Sequence, residues 1–94
     1  MIDDEFEWDD AKAAANADKH GVTFEMARDV FSDPFALEWL DPRFTAETRY
    51  CLIGAVEGRI LFVAYTLVEG ERIRIISARK AEPFERRRYH EDNR

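Results

Sequence analysis

The sequence holds a single cysteine, Cys51. An internal disulfide is therefore excluded, and with it the disulfide framework that marks small secreted domains. Cys51 stands in an apolar run and reads as a small core hydrophobe. There are two histidines, His20 and His90, and no metal-ligand spacing among them and the cysteine. No metal site and no other cofactor is expected. A phosphate-binding loop, a dinucleotide fingerprint and a serine nucleophile in a recognisable setting are all missing. The longest apolar run, Ile60 to Tyr65, is far too short to cross a bilayer. The opening Met1-Ile2-Asp3-Asp4-Glu5 is acidic where a signal peptide would be basic and then apolar. The expected location is the cytoplasm, without membrane contact.

Positive charge is scarce in the first half. Residues 1–47 carry thirteen acids and four bases, and residues 48–94 carry seven acids and ten bases. The net charge of −6 would repel nucleic acid at long range. Any phosphate must be held by a local basic surface, and the second half holds most of the bases. Apolar residues make up 46% of the 94 positions, enough for one core and hence one domain over residues 1–94.

Glu5 to Trp8 alternates polar and apolar, as a short strand does. Asp9 or Asp10 suits the start of an alanine-rich helix over 10–19, and Gly21 suits its end. Thr23 suits the cap of a second helix over 24–32, with Phe24, Ala27, Val30 and Phe31 as its apolar stripe. Ser32-Asp33-Pro34 stops it. A short strand over 36–40 and three longer runs, 48–56, 59–68 and 72–79, follow. Glu57-Gly58 and Glu69-Gly70-Glu71 separate the long runs, and links so short favour antiparallel hairpins. Pro83 fits the first turn of a last helix over 83–91. The expected fold is α+β: an antiparallel sheet of about four strands, two N-terminal helices and a C-terminal helix.

Three groups of residues have the right chemistry for a site. Lys12, Asn16, Lys19 and His20 fall on about a quarter-turn stripe of the first helix. They could hold a phosphate or an acidic partner, and His20 supplies an imidazole, a side chain suited to proton transfer. They would equally make an ordinary solvent face. In the strand 72–79, strict alternation places Arg72, Arg74, Ile76 and Ala78 on one face and Ile73, Ile75, Ser77 and Arg79 on the other. Arg79 and Lys80 emerge at its tip, where a guanidinium can grip a phosphate through two parallel hydrogen bonds. In the last helix Tyr89 could stack on a base or pack in the core. Arg49 is a phosphate contact or a surface charge.

Four stretches, in order, carry a resemblance. They are Phe6-Glu7-Trp8-Asp9, Lys19-His20-Gly21-Val22, Asp33-Pro34, and Arg74 to Ala81 followed by Glu85-Arg86-Arg87. The chain resembles the BrnT family of bacterial toxins from about Glu5 to Tyr89. The resemblance implies a RelE-like fold and an endoribonuclease that cuts cellular RNA without a metal and so inhibits translation. For that reaction Lys19, His20, Arg74 and Arg79 are the residue types expected to be catalytic, and Lys12, Arg49, Lys80 and Tyr89 the expected RNA contacts. The resemblance also implies a BrnA-like ribbon-helix-helix antitoxin as partner, with DNA reached only through that partner. A binding module kept for pairing with the antitoxin and for operon autoregulation is the alternative. Where the family offers a small hydroxyl residue as a helix cap, this chain has Glu82-Pro83.

Overall fold

The computed structural model describes residues 1–93. The elements run β1 (Phe6–Glu7), α1 (Asp10–His20), α2 (Phe24–Val30), β2 (Leu37–Leu40), β3 (Tyr50–Val56), β4 (Arg59–Val68), β5 (Arg72–Lys80) and α3 (Pro83–Asp92). The sheet order is β1-β5-β4-β3-β2.

This is the expected α+β layout with one correction. The sheet has five strands and is mixed, because β1 joins β5 in parallel, Phe6 beside Ile73 and Glu7 beside Arg74. Two residues suffice because each side chain is anchored. Phe6 enters the core, and Glu7 takes Arg72 and Arg74 at 3.2 and 2.9 Å. The pairing covers part of an edge that β5 would otherwise expose.

Local chemistry sets the remaining boundaries. Asp9 caps α1 by accepting from the backbone of Ala11 at 2.8 Å, and Gly21 ends it in the left-handed region at φ 66°. Thr23 caps α2 by accepting from Met26 at 3.1 Å. That helix ends at Val30, two residues before the expected boundary, as Asp33 begins to bond elsewhere. The Glu57-Gly58 link has positive φ at both residues, and so does Glu69-Gly70. That is the geometry of the tight turns that match the twist of paired strands.

α1 and α2 cover one face of the sheet. Val22, Phe24, Ala27 and Val30 pack there against Leu52, Leu61, Val63, Tyr65 and Ile75. Edge-to-face rings tie the layers: Trp8 with Phe24 at 5.9 Å, and Phe31 with Phe6 and Tyr65 at 5.2 and 5.0 Å. Gly54 allows the close approach of α2, since a Cβ there would lie 2.7 Å from Val30 Cγ1. α3 lies across β3 and reaches Arg79 and Trp39 on the far face. No helix is long and apolar enough to cross a membrane among the described residues.

Candidate functional site

The decisive local feature is a bulge in β5. The register runs Phe62–Arg79, Val63–Ala78 and Ala64–Ser77, then steps to Tyr65–Ile75 and Thr66–Arg74. Ile76 is the extra residue, and an extra residue breaks the two-residue alternation. Arg79, Ser77, Arg74 and Arg72 therefore oppose Phe62, Ala64, Thr66 and Val68, which share one face of a regular β4. This corrects the alternation expected from spacing, which separated Arg74 from Arg79. Both lie on the face turned away from α1 and α2. Ile75 and Ala78 turn into the core.

Each arginine of that row is already engaged. Arg79 donates from Nη1 to Glu85 Oε1 at 2.8 Å and from Nη2 to Oε2 at 3.1 Å. Its guanidinium sits 4.2 Å from the centre of the Phe62 ring. Glu85 is 4% exposed, and its Oε1 also accepts from the backbone of Glu82 at 2.7 Å. Glu82 itself occupies the cap position of α3, so in this chain a pair of glutamates serves where a hydroxyl is usual. Arg74 and Arg72 share Glu7. The hydrogen bond from Arg74, joined by that from Arg72, holds the Glu7 carboxyl below its ordinary range although burial pulls the other way.

α1 runs alongside β5 in the same direction. Near its start, Lys12 shares a hollow with Glu7, Arg74 and Ile76. One turn on, Asn16 is buried and meets Ala78: its Nδ2 donates to the Ala78 carbonyl at 2.8 Å and its Oδ1 accepts from the Ala78 amide at 3.1 Å. The same Nδ2 donates to the Val22 carbonyl at 2.9 Å. Ala78 does not spend these groups on β4, so Asn16 seals the β5 edge where β1 has ended. The expected stripe of four therefore divides. Asn16 faces the sheet, Lys12 and Lys19 are exposed, and His20 is half-buried. The last turn of α1, with Lys19 and His20, continues toward the end of β5 that carries Arg79 and Lys80. Lys12, Lys19 and Lys80 form no ion pair among the described residues.

Two other expected contacts lie elsewhere. Arg49 sits 4.0 Å over Phe44 and pairs with Glu47 at 2.9 Å, in the loop before β3. Tyr89 is 7% exposed, and its hydroxyl donates to Asp33 Oδ2 at 2.6 Å. Its ring is not presented for stacking. Burial and the Asp33 carboxylate together push its hydroxyl up to about 12.

Spacing alone did not single out Asp33, although Asp33-Pro34 belongs to the resemblance. Oδ1 accepts from Phe35 at 2.9 Å, and Oδ2 accepts from Ala55 at 2.8 Å as well as from Tyr89. One carboxylate thus joins the end of α2 to β3 and α3. Asn93 adds to the clasp by donating to the carbonyls of Phe35 and Tyr89 at 3.1 and 2.7 Å. Among the described residues no three His, Cys, Asp or Glu side chains converge so as to hold a metal ion.

Residues 8–85 match the sequence model of a family described as the ribonuclease toxin BrnT of type II toxin–antitoxin systems. The fold is similar to the crystal structure of the Brucella abortus ribonuclease toxin BrnT, with a TM-score of 0.63 and 29% identity. That similarity covers 83% of this chain and 96% of the Brucella chain. No curated protein matches the chain.

Proposed function

Because this chain belongs to the BrnT family of ribonuclease toxins of type II toxin–antitoxin systems, we propose that it is a metal-independent endoribonuclease that cuts cellular RNA in the cytoplasm and thereby inhibits translation. RNA carries its own nucleophile, the 2′-hydroxyl next to the scissile phosphate. The protein must align it, accept its proton, stabilise charge on the phosphorus-bound oxygens and protonate the leaving oxygen. The observation that carries this reading is the Arg72-Arg74-Ser77-Arg79 row, gathered on one face by the Ile76 bulge. Arg79 is assigned charge stabilisation, His20 proton transfer, and Lys19 and Arg74 phosphate binding close to the reacting centre. Lys12 and Lys80, exposed at opposite ends of β5, are assigned the flanking backbone. Arg49 lies further off, beside Phe44, and Tyr89 contributes by anchoring α3.

A BrnA-like ribbon-helix-helix antitoxin is the proposed partner, with DNA contacted only through it. One observation favours a second reading, a catalytically weak module retained for antitoxin pairing. Both Arg74 and Arg79 already hold carboxylates, Glu7 and Glu85, and RNA must compete with these.

The test is cleavage of single-stranded RNA in excess EDTA. The expected result is cleavage that leaves 2′,3′-cyclic phosphate ends. Activity that vanishes in EDTA and returns with magnesium would overturn the metal-free mechanism. Absence of cleavage together with tight antitoxin binding would establish the second reading.

A further inference from the structure

Beside Arg79 the far face of the sheet carries a feature that phosphate chemistry leaves unused. Trp39 on β2 and Phe62 on β4 lean together across β3, with ring centres 6.1 Å apart and an interplanar angle of 63°. Cys51, between them in the sheet, is buried. The Arg79 guanidinium lies on Phe62, and the Arg88 guanidinium lies 5.3 Å from the centre of Trp39. Phe84, on the first turn of α3, is 58% exposed. Trp39, Phe62, Arg79 and Phe84, with Asp41 and Arg43, bound a hollow of about 310 Å³.

We propose that this hollow is a nucleobase pocket, which takes one unstacked base of the RNA next to the phosphate held by Arg79. The inference rests on the ribonuclease reading and adds the part of the substrate that would give it selectivity. The volume is at the small end of the ~300–1,000 Å³ usual for small-ligand pockets, room for one base and not for a helix. Single-stranded RNA is recognised by bases splayed onto aromatic rings and arginine planes, and both surfaces are present. The charges also fit. Arg43 is neutralised by Asp41 at 2.7 Å and Arg79 by Glu85, so the hollow offers stacking and hydrogen-bonding edges in place of a strong positive field. In an acidic chain, stacking supplies affinity that counterion release cannot.

The pocket has a built-in reporter. Of the two tryptophans, Trp8 is buried against Phe24 under the helices, so a change in fluorescence on RNA binding reports Trp39. The experiment uses the purified chain and 2′-O-methyl oligonucleotides of each base, which bind but cannot be cut. The expected result is quenching that differs among the four bases and disappears in Trp39→Phe. Phe84→Ala should weaken binding at least tenfold and flatten the preference among bases. Leu40→Ala, an exposed apolar control on the same strand, should change neither. Binding should fall only gently with salt, with a log–log slope no steeper than about −1.4, the value for two phosphates on a single strand.

Phe84 is largely exposed, so its truncation leaves the fold intact. Phe84→Ala and Trp39→Ala variants that bind as tightly as the parent, with the same base preference, would overturn the pocket while leaving the ribonuclease reading standing. Loss of antitoxin affinity in these variants with RNA binding unchanged would also overturn it and give the surface to the partner. A parent chain that neither binds nor cuts RNA would overturn the ribonuclease reading first, and the pocket with it.

Discussion

Arg79 and Glu85 meet through two parallel hydrogen bonds, one residue near the end of β5 and the other on the first turn of α3. The pair holds the guanidinium over Phe62 and orients the start of the helix. It also gives Arg79 a structural role beside the proposed chemical one, which shapes how its substitution should be read.

Arg79→Ala should abolish growth inhibition, but it also leaves the Glu85 carboxylate buried without its partner. A cost of about 3 kcal/mol is expected from that alone. The double variant Arg79→Met/Glu85→Leu should recover most of the stability and none of the toxicity. Denaturant unfolding and a growth assay on both variants check this. Toxicity returning in the double variant would remove Arg79 from the site. Arg59→Ala, which loses only a weak contact to Met26, is the control and should remain toxic.

Asn16→Ala should be among the most destabilising substitutions outside the core. It strands the Ala78 amide and carbonyl and the Val22 carbonyl. Orphaned buried backbone groups cost about 1–3 kcal/mol each before relaxation, so a loss of roughly 2–4 kcal/mol is expected. Hydrogen exchange should show the Ala78 amide exposed in the variant. Asn16→Asp should also fail, since it keeps the acceptor and loses the donor.

The Asp33–Tyr89 contact makes stability fall at both ends of the pH range. Burial raises the Asp33 carboxyl, but the Tyr89 hydroxyl and the Ala55 and Phe35 amides outweigh it and leave it below the ordinary range. Its contribution is therefore complete above the unfolded value near 3.8 and fades as pH falls through the lower folded value. Tyr89 has the opposite sign. Its folded value of about 12 lies above the unfolded 10, so its contribution holds below pH 10 and fades between 10 and 12. Tyr89→Phe should cost about 1.5–3 kcal/mol at pH 7, the worth of a hydrogen bond to a charged group. It should also lose less stability than the parent between pH 10 and 12. Urea unfolding at pH 7, 10 and 12 tests both signs.

Lys19→Ala and His20→Ala should reduce RNA cleavage while sparing antitoxin affinity, because both lie on the last turn of α1 and neither supports the fold through an ion pair. Calorimetric titration against the antitoxin decides this. A loss of affinity of tenfold or more, about 1.4 kcal/mol, with cleavage unchanged would assign both residues to the partner surface.

Most elements were legible because their signals are local. Asp9, Thr23 and Pro83 start helices by satisfying or dispensing with backbone donors close in sequence, and the two Glu-Gly links turn the chain within a few residues. What escaped depends on contacts distant in sequence. Alternation marks the strand at Phe6–Glu7, but not its parallel pairing with β5, more than sixty positions later. Asn16 looked like one of four polar residues on a helix face, and its partner is sixty-two positions away. Trp39 and Phe62 read as ordinary strand residues, because only the assembled sheet brings their rings together. The candidate site suffered most from the bulge, since spacing predicts faces only where alternation is unbroken.

That bulge also gives β5 a spare residue. Elsewhere in a strand, a one-residue deletion turns every side chain beyond it to the opposite side. At Ile76 the phase slip is already present, so losing Ile76 would leave a regular ladder with Arg74 and Arg79 still on one face. A deletion in the Tyr50–Val56 strand would have no such reserve. The strand to which the chemistry is assigned is in this respect buffered against a change in its own length.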